Sequence, residues 1–138
     1  METSTPIWPC LNYRDALGAI RFLVDVLGFT PGPVHTGEGG QHVEHAELYW
    51  PEGGGVMLGS AKVDGRPFEQ LPTGGSGVYV RTERPADVHQ RVVAAGVDVV
   101  EPLQAKAGGG PGFVIRDPEG NLWSFGTYRP ASPLPRLR

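Results

Sequence analysis

The sequence predicts an α+β protein built from two paired βαβββ units that form a cleft. The turn sequence Pro-Glu-Gly at residues 51–53 recurs at residues 118–120, an offset of 67 residues. Leu-Gly-Phe at 27–29 and Ala-Gly-Val at 95–97 each end an amphipathic stretch, and their glycines are 68 residues apart. Two landmarks at nearly one offset indicate a supersecondary unit of roughly 55 residues that is used twice.

The first unit is predicted to begin with a strand and a helix. Residues 7–13 form the strand, and Pro9 places it at a sheet edge or on a bulge because proline cannot donate a ladder hydrogen bond. Residues 15–27 form the helix, with Asp15 as N-cap and Gly28 in the left-handed C-terminal position. The apolar residues at helical spacing are Leu17, Ile20, Leu23, Val24 and Leu27.

The rest of the first unit is predicted as a loose segment followed by two strands. Residues 29–41 are rich in glycine and proline and are predicted to be loose. Residues 43–50 alternate as a strand does, and residues 56–59 return after a turn at 51–55. The side chains that share one face of the first of these strands are His45, Glu47 and Tyr49.

The second unit repeats this order. Residues 77–82 form a strand, Pro85 opens a helix, and residues 97–100 are short and extended. Residues 113–116 and 121–127 form a hairpin, which follows a glycine-rich loop at 108–112. The predicted inner face of the helix consists of Val88, Val92 and Ala95.

The domain organisation follows from these elements. One domain is predicted over residues 1–138, a length within the usual range for a compact domain. Its parts are unit 1 at about 6–60, a connector at 61–75, unit 2 at about 76–128, and a tail at 129–138, which is predicted to be disordered or draped on the surface.

Composition excludes several classes of protein. The chain has a net charge of −3, only 12 Lys and Arg residues and no basic run, so nucleic acid is not a predicted partner. It has no apolar run long enough for a membrane span, and residues 1–5 do not resemble a signal peptide, so the cytoplasm is the predicted location. Cys10 is the only cysteine, which excludes a disulfide within the chain, and it is predicted to be a small buried residue.

Three further stretches carry a family resemblance. They are Leu-Asn-Tyr-Arg-Asp at 11–15, Phe22 with Leu-Gly-Phe at 27–29, and Arg-Asp-Pro-Glu-Gly-Asn-Leu-Trp at 116–123. Together they resemble the vicinal oxygen chelate superfamily of glyoxalase I, extradiol dioxygenases and bleomycin-resistance proteins. The likeness runs from about residue 7 to 128 and is greatest to small bacterial glyoxalase-like members. It implies the glyoxalase/bleomycin-resistance fold.

The resemblance also implies a divalent metal that binds two vicinal substrate oxygens as a Lewis acid. The four ligand positions of the superfamily fall here on Trp8, Met57, Ser124 and either Ser76 or Gly77, depending on the register. Such metals need histidine nitrogen and carboxylate oxygen. The sequence therefore predicts no metal at these positions and no cofactor, and it argues against an enzyme.

Three hypotheses for function remain. The first is a metal-independent protein that binds and sequesters a small molecule, such as an antibiotic, through Trp8, Glu47, Tyr49, Met57 and Ser124. The second is a metal-dependent lyase or dioxygenase of the same superfamily, with a displaced metal on His45 and Glu47. The third is a non-catalytic dimer with a filled vestigial cavity. A homodimer is predicted because the chain is short and related small members pair their units across a two-fold axis.

Overall fold

Two four-stranded sheets form the frame of the molecule in a computed structural model that describes residues 5–105 and 109–130. The strands are β1 (Cys10–Tyr13), β2 (Thr30–Thr36), β3 (Val43–Tyr49), β4 (Gly55–Ser60), β5 (Gly77–Arg81), β6 (Asp98–Ala105), β7 (Pro111–Arg116) and β8 (Leu122–Gly126). Their order is β1-β4-β3-β2 in one sheet and β5-β8-β7-β6 in the other. In both sheets the first pair is parallel and the others are antiparallel, which confirms the predicted α+β fold of two βαβββ units.

Each sheet carries one helix, and the first helix begins and ends where the sequence predicts. Helix α1 (Ala16–Phe22) continues as a π-helical turn at Leu23–Leu27. The Asp15 carboxylate accepts a hydrogen bond from the backbone N–H of Gly18 at 3.0 Å. Gly28 has φ 95°, the left-handed conformation that glycine adopts without strain. The π-helical turn forms because the Leu23 carbonyl accepts from residues further along than a regular helix allows.

The second helix differs from prediction at its end. Helix α2 (Pro85–Ala94) begins with proline at the predicted position, and Val88 and Val92 are buried. Ala95 is exposed because it lies beyond the last helical turn, so its predicted place on the inner face is wrong.

No helix within residues 5–105 and 109–130 is long and apolar enough to cross a membrane.

Two edge strands with irregular sequence differ from prediction: β2 was not predicted as a strand, and β6 is longer than predicted. β2 occupies most of the segment that was predicted to be loose. An edge strand tolerates proline on its unpaired side, and the register shifts between Pro31 and Val34. β6 extends five residues beyond the predicted end at Val100, again with register shifts. Residue 108 of the predicted glycine-rich loop lies outside the described residues, and β7 already begins at Pro111. Residues 131–138 of the predicted tail also lie outside the described residues.

Cys10 is exposed, so its predicted burial is wrong. The alternation of β1 turns Leu11 and Tyr13 toward the helix-bearing side, where both are buried. Cys10 points to the opposite side of the sheet, beside Met57 of β4, with which it is paired.

One hydrophobic core joins the two units. At their junction Phe29 lies 5.7 Å from Trp123, and Trp50 lies 6.0 Å from Phe125, measured between ring centroids. All four side chains are buried on the helix-bearing sides of the sheets. The units therefore pack through these sides, and the other face of each sheet, which we call the open face, points away from the junction.

The turn after β7 carries the second copy of the Pro-Glu-Gly sequence, at residues 118–120, and its glutamate contacts the other unit. The carboxylate of Glu119 accepts hydrogen bonds from the backbone N–H groups of Arg14 and Asp15, each at 2.7 Å. These two groups lie just before helix α1 of the other unit, where a negative charge is favoured. The turn of unit 2 is thereby bound to the start of the helix in unit 1.

The corresponding turn of unit 1 makes the reciprocal contact. Glu52 accepts from the hydroxyl of Thr82 at 2.6 Å and from the backbone N–H of Glu83 at 2.8 Å, just before α2. Glu52 and Glu119 are the counterparts at the 67-residue offset. The repeated Pro-Glu-Gly sequence is thus a reciprocal clamp between units and has a structural role.

A buried carboxylate stabilises the second turn further. Asp117 is 4% exposed, and its Oδ2 accepts from the hydroxyl of Tyr13 at 2.7 Å. The same oxygen accepts from Asn121 Nδ2 at 3.0 Å and from Trp123 Nε1 at 3.1 Å. Burial, together with the nearby Asp117 charge, raises the pKa of Tyr13 above its ordinary value, so the phenol remains a donor.

We expect Glu119→Ala to lower the free energy of unfolding by about 1–3 kcal/mol, because two backbone donors lose their acceptor. Urea unfolding of the purified chain measures this change. Glu38→Ala, in an exposed turn, is the control and should change stability by less than about 0.5 kcal/mol. Equal stability of Glu119→Ala and the parent chain would show that the clamp does not hold the units together.

Candidate functional site

The open face of the first sheet brings together most of the predicted site residues. In the register of β3, β4 and β1, Met57 lies beside both Glu47 and Cys10, and Tyr49 lies opposite Gly55. Because paired residues point to the same face, these side chains share the open face. The side chains on this face include Trp8, Cys10, Asn12, His45, Glu47, Tyr49 and Met57.

Trp8 and Tyr49 form an aromatic corner on this face. Their ring centroids are 5.8 Å apart, and the rings meet edge to face at 87°. A Cβ atom at Gly55 would lie 2.5 Å from the indole of Trp8, and one at Gly32 would lie 2.6 Å from the ring of Tyr49. The two glycines therefore allow the rings to lie close against the sheet. The indole N–H of Trp8 donates to the carbonyl of Thr5 at 2.6 Å.

Glu47 lies next to this corner and is held by two donors. The hydroxyl of Tyr49 donates to Oε1 at 2.6 Å, and Nε2 of His45 lies 2.9 Å from Oε2. The hydrogen bond from Tyr49, followed by the one from His45, lowers the pKa of Glu47 below its ordinary value. The ring of His45 in turn stacks on His35, with centroids 6.2 Å apart. Glu47 is therefore an oriented carboxylate that stays ionised at neutral pH.

A cavity of about 550 Å³ lies beside these groups, between the open face and the connector. Its volume falls in the range of small-molecule sites. It is lined by Cys10, Leu11, Asn12, Glu44, His45, Met57, Leu58, Gly59, Ser60, Arg66, Pro67, Phe68, Glu69 and Leu71. Every one of these residues precedes the second unit, so the cavity forms against one sheet rather than between the two.

A 3₁₀ helix in the connector, Pro67–Gln70, forms one wall of the cavity. The carboxylate of Glu69 accepts from the backbone N–H of Arg66 at 2.7 Å and lies 2.7 Å from Nε2 of His42. These contacts, the first of them above all, lower the pKa of Glu69 to about 2. The amide of Asn12 also donates to the carbonyls of Glu69 at 3.1 Å and Leu71 at 2.6 Å. Hydrogen bonds to the sheet thus hold this wall in place.

The five predicted binding residues do not form one cluster. Met57 lines the cavity, while Trp8, Glu47 and Tyr49 lie on the same face beside it. Ser124 lies on β8 of the second sheet, with Tyr79 and Val114 as its neighbours on the flanking strands. It does not line the cavity, because the units pack through their opposite sides.

The four positions that the resemblance predicts for metal ligands do not fit a divalent cation. Trp8 offers only an N–H donor, which already bonds to a carbonyl, and Met57 offers a soft thioether. Ser76 or Gly77 and Ser124 add no imidazole or carboxylate. Within the described parts of the chain, no three His, Cys, Asp or Glu side chains are grouped so that they could hold a metal ion.

The displaced pair of His45 and Glu47 does not replace these ligands. It supplies two donor groups, and the nitrogen and oxygen that would bind a cation are hydrogen-bonded to each other at 2.9 Å. A catalytic zinc site, for comparison, has three protein ligands and an open position.

The connector wall was not predicted. Phe68 and Leu71 line the cavity although both are substantially exposed, at 67% and 45%. The signal in the sequence is the pair Pro67 and Phe68, an apolar side chain at a proline-initiated turn within a polar segment. That signal predicts a turn, but the docking of the turn on Asn12 depends on contacts across more than fifty residues.

Comparison with known proteins identifies the family. The model of the Glyoxalase/Bleomycin resistance protein/Dioxygenase superfamily matches residues 7–125, so the chain belongs to this superfamily. This confirms the resemblance seen in the sequence. A comparison with curated proteins finds no match.

Solved structures support the same fold. TioX from Micromonospora sp. ML1 is 33% identical, covers 88% of this chain and 97% of its own, and has a TM-score of 0.71. The integron cassette protein VCH_CASS1 from V. cholerae is 23% identical, covers 94% of this chain and 98% of its own, and has a TM-score of 0.67. A mutant of the fosfomycin resistance protein FosX from Listeria monocytogenes, complexed with Mn(II), is 12% identical, covers 93% and 95%, and has a TM-score of 0.62.

Proposed function

We propose that the protein binds a small molecule on the open face of its first sheet without a metal, and sequesters it stoichiometrically. The observation that carries this proposal is the cavity of about 550 Å³ beside family metal positions that hold Trp8 and Met57. A cavity of this size with non-ligating side chains favours binding over Lewis-acid chemistry.

The lining suits a ligand with an apolar body. Met57, Phe68 and Leu71 provide apolar surface, and polar groups such as His45 and Asn12 lie among them. Such a site gains affinity from apolar burial and orientation from a small number of polar contacts. Glu47 and the aromatic corner extend the same face and belong to the proposed site.

Neither alternative function gains support from an observation. A displaced-metal enzyme would depend on His45 and Glu47, which bond to each other. A dimer with a filled cavity would need the cavity to be plugged, whereas Trp8 lies beside the open cavity and Met57 lines it.

We also propose a class of ligand and a cellular location for the protein. The superfamily includes bleomycin-resistance proteins, and FosX is by its name a fosfomycin resistance protein, so an antibiotic is our leading ligand class. An exposed free thiol at Cys10 suits a reducing compartment, and we place the protein in the cytoplasm.

The proposal predicts that a neutral apolar dye binds the purified chain in the presence of EDTA. Nile red should bind saturably at one site per chain and quench the fluorescence of Trp8, the tryptophan that lies beside the cavity. Phe68→Ala should weaken binding at least about fivefold, or about 1 kcal/mol, because it removes part of the cavity wall. Fluorescence titration measures both effects.

The matched control is Val63→Ala, which truncates a connector side chain that is 95% exposed and does not line the cavity. It should leave the affinity for Nile red unchanged. Binding only after metal is added, or equal loss in both variants, would contradict the proposal.

We also propose a homodimer, because both open faces expose large apolar side chains. Phe68, in the connector helix beside the first open face, is 67% exposed. Tyr79 and Leu122 are 41% and 39% exposed on the second open face. Sedimentation velocity should show a species of twice the 14.8 kDa chain mass. Leu122→Glu should shift it toward the monomer, and a parent chain that is monomeric at all concentrations would contradict this part of the proposal.

A further inference from the structure

Glu47 has unused capacity to accept hydrogen bonds. Its two oxygens each accept one bond, from Tyr49 and His45, whereas a carboxylate offers about four acceptor sites. Within residues 5–105 and 109–130 no arginine or lysine forms an ion pair with it. The guanidinium that lines the cavity, that of Arg66, pairs instead with Glu69 at 3.3 Å.

The charges around the cavity are predominantly negative. Glu44 and Glu69 line it and Glu47 borders it, while Arg66 is the one arginine or lysine among the lining residues in the described part of the chain. A cavity whose surrounding charges are negative in excess favours ligands of the opposite sign.

The aromatic corner favours the same kind of ligand. The N–H of Trp8 donates to the carbonyl of Thr5, so the indole offers a ligand its ring surface rather than a hydrogen-bond donor. The rings of Trp8 and Tyr49 meet edge to face beside Glu47. An aromatic face next to a carboxylate is the arrangement that binds ammonium groups through cation–π attraction and direct charge pairing.

The charged corner and the apolar cavity form one continuous surface. Met57 lines the cavity and lies directly opposite Glu47 on the neighbouring strand, with both side chains on the open face. The surface from Glu47 over Met57 toward Phe68 therefore has a charged end and an apolar end.

Resting on the proposed function, we infer that the ligand is an organic cation. Its protonated or quaternary amine lies between the Glu47 carboxylate and the rings of Trp8 and Tyr49, and its apolar body occupies the cavity lined by Met57 and Phe68.

The test compares two probes of equal shape. Benzyltrimethylammonium and its neutral isostere neopentylbenzene each compete with Nile red for the intact chain in EDTA. The cation should displace the dye at a concentration at least about tenfold lower than the neutral probe, because only the cation gains the charge pairing and the cation–π contact. Glu47→Gln, which keeps the shape of the side chain, should abolish this preference.

Two controls separate the possible outcomes. Glu38→Gln makes the same charge change in an exposed turn and should keep the preference for the cation. A thermal unfolding midpoint and a circular dichroism spectrum of Glu47→Gln equal to those of the parent chain show that the fold is intact. Equal displacement by both probes, or a preference that survives Glu47→Gln, would overturn the organic-cation inference while binding of Nile red still supports the proposed function. A parent chain that binds no Nile red would overturn both.

Discussion

The packing of the two helix-bearing sides against each other determines which faces of the sheets are left accessible to a ligand. Phe29 and Trp50 of the first unit contact Trp123 and Phe125 of the second, and this junction turns both open faces outward. The carboxylates of Glu52 and Glu119 hold the junction on either side, since each bonds to backbone or hydroxyl donors at the start of the other unit's helix. The cavity therefore forms against one sheet, where the connector folds back over it.

The chemistry of the open face follows from which side chains occupy it. The positions predicted for the superfamily's metal ligands hold Trp8 and Met57, which offer aromatic and apolar surface in place of metal ligands. The remaining polar groups are oriented by one another, as Tyr49 and His45 bond to the two oxygens of Glu47. Such a face can hold and orient a ligand through apolar contact and a fixed charge, and these are the requirements of a binding protein.

Local signals in the sequence were sufficient for most of the fold. Asp15 and Gly28 mark the two ends of the first helix, as expected. The alternation in β3 places His45, Glu47 and Tyr49 on one face. Contacts distant in sequence account for what was missed. Cys10 is exposed because it lies on the open face of its sheet, and the proline-rich β2 is a strand because it lies at a sheet edge. Local composition encodes neither position. The wall formed by Phe68 depends on Asn12, and Ser124 is separated from the site by the way the units pack.

The claim that the site works without a metal is tested most directly by the metal content of the purified chain. The chain is loaded with Mn, Fe, Co, Ni and Zn, dialysed, and analysed for metal bound per chain. We expect retention near zero, because the four family positions offer no imidazole or carboxylate. Retention of about one ion per chain that is lost in His45→Ala would contradict the account and identify His45 and Glu47 as ligands.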